Sequence, residues 1–504
     1  MEATTAPTVE PAASEGETLH RRALGVSDIV FFIVAASAPL TVVAGGVAST
    51  YLVTGNQGVP LMFIILGAIL ALFVSGYAAM SHHITNAGAF YAYVSKGLGK
   101  VGGVATAFIA LVSYNSMQIG IAGLFGAVFS GFMLDKTGID FAWYTWIFIA
   151  IAVVGAFGWL RIDLNAKVLA IFLTAEIIVV AFFDLVVLGD PGPQGISLTG
   201  FDPSVTFGAA FGAGLVFTMA AFTGFESAAI YSEECKEPRK TVAKATYIAL
   251  GITSLFYAFS ALMLGDAIGP ATITNPDALV AGGFVTGGGP DPTTVLFITL
   301  DSQVSTTIAD IATLLFCTSL FAAMLSFHNA VARYGFALGR AGVIPKAFGR
   351  TRPSTGAPYI SSLSQSILAV VIVGIFALSN SDPVLQLFTW LTNLGALGVL
   401  SLLALSSFAV IGYFAKNDHG ETAWASRIAP ALAGVLLTAV FILALFNFNI
   451  LITGLQDAPL DDRSVILPAL LFIAAAVGAA VGLWLRSNKP EVYARIGEGG
   501  EETP

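Results

Sequence analysis

Twelve runs of apolar residues, each long enough to cross a bilayer, constrain the fold of this chain more than any other feature. A helix needs about 20 apolar residues to span roughly 30 Å of hydrocarbon. We therefore predict an all-α integral membrane protein with twelve transmembrane helices. The runs cover residues 28–53, 60–82, 102–133, 142–160, 165–189, 206–231, 242–265, 305–332, 359–379, 384–414, 429–451 and 465–486.

The composition supports a membrane protein and argues against several other classes. Hydrophobic residues make up 56% of the 504 residues and charged residues only 11%, which is outside the range of soluble globular domains. The two cysteines provide no disulfide framework, and the chain has no phosphate loop, nucleophile elbow or metal-ligand cluster. We expect no enzymatic activity, no cofactor, no metal site and no nucleic-acid partner. The expected surroundings are the lipid bilayer.

The basic residues indicate how the helices are oriented. If the N-terminus is cytoplasmic, 20 of the 22 Lys and Arg residues fall on the cytoplasmic side, and Lys136 and Arg463 are the exceptions. Such a bias is the usual signature of cytoplasmic loops. We therefore predict a multi-pass plasma-membrane protein with both termini in the cytoplasm. Residues 1–24 are predicted to form a disordered tail, since they lack the basic start and apolar core of a signal peptide, and residues 487–504 a second one.

Two of the twelve runs are interrupted near their middle. Ala38 and Pro39 interrupt the first run, and Thr223 and Gly224 interrupt the sixth at a similar depth. Proline removes a backbone donor, and a break in lipid persists only where protein or a water-filled cavity surrounds it. Breaks five helices apart, in spans of opposite direction, are typical of inverted-repeat transporters. The simpler alternative is a proline kink together with a packing glycine.

Three separate stretches resemble the amino acid, polyamine and organocation superfamily of permeases. The resemblance implies a leucine-transporter-like fold, with five-helix inverted repeats at 25–189 and 205–414 and two further helices at 428–486. The stretches are "GYAAMSHHITNAGAFYAYVSKGLGK" at 76–100, "AFTGFESAAIYSEECKEPRKTVAKAT" at 221–246 and "SFHNAVARYGFALGRAGVIPKAFGRTRPSTGAP" at 326–358.

The resemblance also implies a substrate site between the broken first and sixth helices. Free N–H and carbonyl groups at helix breaks suit the ionic ends of a small substrate. The segment expected to bind a carboxylate is Ser37, Ala38, Pro39, Leu40 and Thr41. The segment expected to bind an amine is Ala221, Phe222, Thr223 and Gly224, with Ala220 and Glu226 beside it.

The chain departs from the family pattern at two of these positions. Pro39 cannot donate a hydrogen bond, whereas many family members carry a glycine-rich pair in this segment. Ala220 stands where family members often carry an aromatic gate. Either Phe217 or Phe222 supplies that ring from a neighbouring turn, or the pocket is larger. The alternative for each phenylalanine is lipid-facing or core packing.

Three acidic residues lie inside the predicted helices. A charged side chain near the bilayer centre costs about 2.5–3.5 kcal/mol, so Glu176, Asp184 and Glu226 are expected to face a cavity or a partner. Glu176 falls where many family members carry a lysine, and it either carries a proton or favours a cationic substrate. Asp184 belongs to the same pathway or is an interfacial acid. Thr318 and Ser319 offer either a sodium site or ordinary intrahelical hydrogen bonds.

A set of charged residues follows the sixth and eighth helices. We expect them either to form salt bridges that close the cytoplasmic gate or to serve only as topology signals. They are Glu233, Glu234, Lys236, Arg239, Lys240, Arg333 and Arg340.

The function that best fits these patterns is secondary active transport. We predict a permease that imports amino acids by alternating access, driven by protons, with the substrate bound between the broken helices. A polyamine or organic amine transporter is the first alternative. A membrane sensor that does not transport is the second. A channel is disfavoured because the chain shows no filter segment.

Overall fold

The computed structural model describes residues 19, 23–160, 162–208, 210–286, 289–455 and 458–498. Twelve main helices account for most of these residues, and each lies on one of the predicted runs. The helices are α1 (Val26–Thr54), α2 (Val59–Ser81), α3 (Lys100–Thr137), α4 (Trp143–Phe157), α5 (Ile162–Gly189), α6 (Phe211–Glu234), α7 (Pro238–Ile268), α8 (Thr306–Ala341), α9 (Tyr359–Leu378), α10 (Pro383–Phe414), α11 (Trp424–Phe446) and α12 (Asp462–Asn488).

The length of α4 differs from its predicted span. Among the described residues eleven helices are long and apolar enough to cross a membrane, and α4, with 15 residues, is shorter. A Cβ added to Gly158, just after its last turn, would lie 2.2 Å from Ser362 Oγ and 2.6 Å from His328 Nε2. The helix therefore ends where it meets α8 and α9 at close range.

Short elements connect the main helices. The connection between α7 and α8 contains a small antiparallel hairpin of β1 (Val285–Thr286) and β2 (Gly289–Pro290). The short helices are Phe90–Gly97, Leu198–Phe201, Pro203–Thr206, Pro270–Ile273, Pro276–Ala281, Pro292–Thr294, Val295–Gln303, Lys346–Gly349, Phe448–Thr453 and Pro490–Ala494.

The two interrupted helices lie at the centre of the bundle. Within the most apolar part of each helix, 89% of the residues of α6 and 78% of those of α1 are buried, against 28% for α9 and α12. The outer helices expose large side chains such as Leu185 and Ile367, as expected for a lipid-facing surface. This arrangement agrees with the predicted all-α membrane class, and it surrounds both breaks with protein as breaks in a membrane require. The inverted repeat stays a prediction.

Small residues allow the helices to approach one another closely. A Cβ added to Gly398 of α10 would lie 1.9 Å from Ser113 Oγ of α3, and one added to Gly395 would lie 2.6 Å from Met117 Cγ. Membrane helices commonly associate through such positions, because packing rather than water exclusion holds them together. Gly395 and Gly398 therefore allow the close contact between α3 and α10.

The segments at both ends differ from the disordered tails that the sequence predicts. Residues 1–18 and 20–22 lie outside the described residues. Leu19 and Leu24, in contrast, are buried, and Leu24 forms a parallel bridge with Cys235. At the other end, Pro490–Ala494 is helical and Ile496 is buried. These buried apolar side chains belong to described parts of the two predicted tails, which therefore pack against the bundle.

Candidate functional site

The break in α1 lies at the residues where the sequence places it. The first α-helical part ends at Ser37, and Ala38 adopts a left-handed conformation with φ 52° and ψ 79°. Helical geometry resumes at Pro39, and Thr41–Val47 forms π-helical turns. Pro39 explains the interruption, because its ring disfavours helical geometry at the preceding residue and it has no N–H to donate. Ala38 and Leu40 are both buried, so protein encloses this break.

The break in α6 has a different backbone origin. The α-helix Phe211–Phe222 is followed by Thr223 in an extended conformation and by Gly224 with φ 110°. Glycine accepts that φ readily because it has no Cβ. A Cβ added to Gly224 would lie 2.6 Å from the Cβ of Ala36 in α1. The α6 break therefore lies against the last turn of α1 before its own break.

Glu226 holds the break in α6 in place. Its Oε2 accepts a hydrogen bond from the Gly224 N–H at 2.9 Å, and its Oε1 accepts one from the Tyr114 hydroxyl of α3 at 2.7 Å. The Tyr77 hydroxyl of α2 donates to the Glu226 carbonyl oxygen at 2.5 Å. The carboxyl group is fully buried. Glu226 therefore satisfies an N–H group freed by the break. Both of its carboxyl oxygens are occupied.

Glu176 of α5 reaches the break in α1. Its Oε2 accepts a hydrogen bond from the Ser319 hydroxyl of α8 at 2.7 Å, and that hydroxyl lies 3.1 Å from the Thr41 hydroxyl. The backbone amide of Leu40 also faces this carboxyl group. Oε1 has no hydrogen-bond partner among the described residues. The carboxyl group thus joins three helices and keeps one oxygen available.

Thr318 and Ser319 take different roles although they are adjacent. The Thr318 hydroxyl donates to the Leu315 carbonyl oxygen at 2.9 Å, which is the ordinary intrahelical bond. The Ser319 hydroxyl points away from its own helix and binds Glu176. The Ser319 hydroxyl, a candidate sodium ligand in the sequence, therefore binds the Glu176 carboxyl group in this structure.

Asp184 lies on α5 eight residues after Glu176, or about 12 Å along the helix axis. It is buried against α7, and its Oδ2 accepts a hydrogen bond from the Ser260 hydroxyl at 2.7 Å. Its Oδ1 has no hydrogen-bond partner among the described residues. Asp184 is therefore packed between α5 and α7. Glu176 and Asp184 share the same arrangement of one bonded and one open oxygen.

Ser37, a further candidate of the first-helix segment, contacts α7. The Ser37 hydroxyl donates to the Val34 carbonyl oxygen at 2.9 Å and lies 2.7 Å from the Tyr257 hydroxyl. That tyrosine packs edge-on against Phe63, whose ring centroid lies 5.8 Å from that of Phe222. Phe222 is thus a buried member of an aromatic cluster.

Two polar side chains beside the α6 break are buried without a partner. Neither Thr223 Oγ1 nor Ser227 Oγ forms a hydrogen bond within the described part of the chain. Ala221 is also buried, whereas Ala220 is only partly so. Buried polar groups in native proteins are nearly always hydrogen-bonded. Two open hydroxyls at a helix break are therefore suited to a polar ligand.

The tyrosines of this site were not among the functional residues predicted from the sequence. Tyr77, Tyr114 and Tyr257 each supply a hydroxyl to a group at one of the breaks. Each tyrosine stands within an apolar run, and a buried tyrosine hydroxyl needs a hydrogen-bond partner. The sequence therefore did contain a signal for these residues. The partner itself depends on how the helices pack, which a single sequence does not give.

Two ion pairs join α6 to α8 near the end of the bundle that carries both described termini. Arg333 binds Glu234 through Nε at 2.5 Å and Nη2 at 3.0 Å, and Arg340 binds Glu233 through two contacts of 2.5 and 2.7 Å. Two of the predicted salt bridges are therefore present. Lys240, in contrast, pairs with Glu237, the residue just before α7. We refer to Glu233, Glu234, Arg333 and Arg340 as the gate pairs.

The sequence matches one protein family over most of its length. A sequence model of that family, described as amino acid permease, matches residues 24–476. A branched-chain amino acid permease of Bacillus subtilis is 23% identical over 446 residues, which cover 84% of this chain and 88% of the relative. A methylthioribose transporter of the same organism is 23% identical over 426 residues, covering 79% and 82%. A histidine permease of Lactococcus lactis is 26% identical over 281 residues, covering 52% and 54%.

Proposed function

Because this chain belongs to the amino acid permease family, we propose that it is a secondary active transporter that imports amino acids by alternating access. The observation that carries the proposal is the close approach of the α6 break to the last turn of α1 before its own break, where a Cβ on Gly224 would lie 2.6 Å from the Ala36 Cβ. Broken helices that meet in the middle of a membrane bundle are the usual place of a transporter's substrate site.

In this proposal the substrate binds between Ser37, Ala38, Leu40 and Thr41 on α1 and Ala220, Ala221, Phe222, Thr223 and Gly224 on α6. The open hydroxyls of Thr223 and Ser227 contribute polar contacts, since both are buried and unpartnered among the described residues. Glu226 acts as a positioning residue, because Tyr114 and Gly224 already occupy its oxygens.

Glu176 and Asp184 are the proposed proton-coupling residues. Each has one carboxyl oxygen bound to a serine hydroxyl and one that is open among the described residues. An open oxygen on a buried carboxyl group gives a proton a place to bind. Glu176 also meets Ser319 and Leu40, so a change in its charge acts directly on the α1 break. Glu226 is the third coupling candidate but has no open oxygen.

An amine without a carboxylate is the second candidate substrate, and one observation favours it. The Glu176 carboxyl group already faces the Leu40 amide, and Pro39 offers no N–H. Glu176 thus occupies the position next to the Leu40 N–H at which a substrate carboxylate would otherwise bind. The open Oε1 of Glu176 would then receive the cationic end of the amine.

We propose that the protein lies in the cell membrane with both termini in the cytoplasm, as the distribution of 20 of 22 basic residues supports. The gate pairs then lie at the cytoplasmic end. The five-plus-five repeat at 25–189 and 205–414 is part of the same proposal, supported by the two breaks five helices apart.

A thermal-shift panel separates the two substrate classes. The detergent-purified protein is heated with single amino acids, with the amines formed by their decarboxylation, and with polyamines. A ligand at 100 times its Kd stabilises the folded state by about 2.7 kcal/mol. We expect one or a few amino acids to raise the melting temperature while the corresponding amines do not. Stabilisation by the amines alone would contradict an amino acid substrate and favour the amine transporter.

A further inference from the structure

The segment that follows α12 is folded onto the end of the bundle that carries the gate pairs. Pro490–Ala494 forms a short helix, after which the chain continues to Glu498. Val492 and Ile496 are buried, whereas Glu491 and Arg495 are exposed. The buried residues lie four apart, so they form one apolar face directed at the bundle. We call residues 490–498 the C-terminal strap.

The strap contacts three different elements. The Gly497 N–H donates to the Tyr91 hydroxyl of the helix Phe90–Gly97 at 3.1 Å. The Asn86 side-chain amide, in the connection after α2, donates to the Glu498 carbonyl oxygen at 2.7 Å. Lys100 at the start of α3 donates to the Ala494 carbonyl oxygen. A strap that binds α3 and the connection between α2 and α3 restrains both.

The strap also reaches the end of α8. A Cβ added to Gly342, which caps α8, would lie 3.3 Å from Val492 Cγ1. Arg340, two residues before that cap, belongs to the gate pairs. The strap therefore packs against the turn that carries one of the gate arginines.

A short chain of contacts connects the strap to the gate pairs. Asn86 binds the strap through its side chain, and the N–H of the next residue, Ala87, donates to Glu233 Oε1 at 2.9 Å. Glu233 in turn binds Arg340. The strap thus supports an ion pair that must separate for α6 and α8 to move apart at this end.

We propose that the C-terminal strap is a latch that holds this end of the transporter closed, and that its detachment opens the path between α6 and α8. The surface it occupies comprises Asn86, Tyr91, Lys100 and Gly342, and its occupant is residues 490–498 of the same chain. The latch rests on the proposed function, because a closed end matters only to a protein that opens. Its role is to set how often the gate pairs separate.

Cys235 provides a native reporter of this opening. It follows Glu234 directly, it is buried, and its thiol donates to the Tyr231 carbonyl oxygen at 3.3 Å. The other cysteine, Cys317, lies in α8 and is replaced by serine in all variants. The rate at which a maleimide alkylates Cys235 in the full-length protein in nanodiscs then measures how often the gate end opens.

We expect Ile496→Asp to raise the alkylation rate of Cys235 on the order of tenfold, since a charged side chain cannot occupy the apolar contact and the strap's hydrogen bonds are lost with it. Glu491→Gln is the matched control, because this residue lies on the exposed face of the same strap. Its rate should equal that of the parent protein. Removal of residues 490–504 should reproduce the effect of Ile496→Asp.

An unchanged rate in both Ile496→Asp and the truncated protein would overturn the latch. If Ile496→Asp does not yield folded protein, as judged by size-exclusion chromatography, the truncated protein alone decides. The assay contains no substrate, so its outcome is independent of the substrate class. A failure of amino acids to bind would contradict the proposed function without changing the alkylation rates.

Discussion

Glu176→Gln is expected to abolish the accumulation of substrate driven by a proton gradient. The amide can still accept the Ser319 hydrogen bond, but it can no longer take up or release a proton. With one proton carried per substrate, a gradient of one pH unit supports about tenfold accumulation, because one pH unit corresponds to about 1.36 kcal/mol. We expect this accumulation ratio to fall to about one, whereas exchange of substrate across the membrane continues.

The measurement uses the purified protein in liposomes with an acidic exterior and radiolabelled substrate. Asp140→Asn is the control, since it removes the same charge from an exposed residue outside the helices. Accumulation by the Glu176→Gln protein equal to that of the parent would remove Glu176 from the coupling mechanism. Loss of exchange together with accumulation would show that Glu176 serves substrate binding instead.

Arg333→Met is expected to cost up to about 3–5 kcal/mol of stability, because it removes the guanidinium group that binds the buried Glu234 carboxylate through two hydrogen bonds. The two side chains are only 3% and 1% exposed, and Arg333 also stacks over the Tyr231 ring at 5.0 Å. The double variant Arg333→Met with Glu234→Met should recover most of the loss, since it also removes the buried carboxylate that Arg333 binds. Thermal unfolding of the detergent-purified variants measures both effects.

Arg340→Met provides the comparison within the gate pairs. Arg340 and Glu233 are 22% and 11% exposed, so water partly solvates the charge that remains. Its effect should be smaller than that of Arg333→Met. A double variant as unstable as Arg333→Met alone would show that the pair acts through packing rather than through charge.

The sequence predicts the helices and the breaks because both depend on local chemistry. The length and polarity of each run determine whether it can span a bilayer, and α4, which is shorter than its predicted run, ends next to α8 and α9. Pro39 and Gly224 interrupt their helices through their own backbone properties. Both features are therefore readable from a few neighbouring residues.

The partners within the site could not be predicted in the same way. Glu176 binds Ser319, 143 residues later, and Tyr114 binds Glu226, 112 residues later. Such contacts depend on the relative rotation of three or four helices, which the polarity of individual runs does not specify. The motif resemblance predicted that α1 and α6 are neighbours. It did not indicate that Glu176 faces the Leu40 amide or that Glu226 binds the Gly224 amide.

The C-terminal strap shows a different reason for a wrong expectation. The residues after α12 are rich in polar and charged types, which favours disorder. Val492 and Ile496 nevertheless share one face, and that face is buried. Two apolar residues four apart do not by themselves predict a folded segment. Their burial depends on the surface against which they pack.

Counterflow of amino acids is the measurement that tests the central claim most directly. Liposomes containing the purified protein are loaded with each amino acid that stabilises it, and entry of the same labelled amino acid is followed without any ion gradient. The parent protein should exchange the label. Gly224→Ala should fold but not exchange, since its Cβ would clash with Ala36 and its φ of 110° is strained by roughly 1–2 kcal/mol. Absence of exchange by the folded parent protein, or exchange at the parental rate by Gly224→Ala, would contradict a substrate site at the two helix breaks.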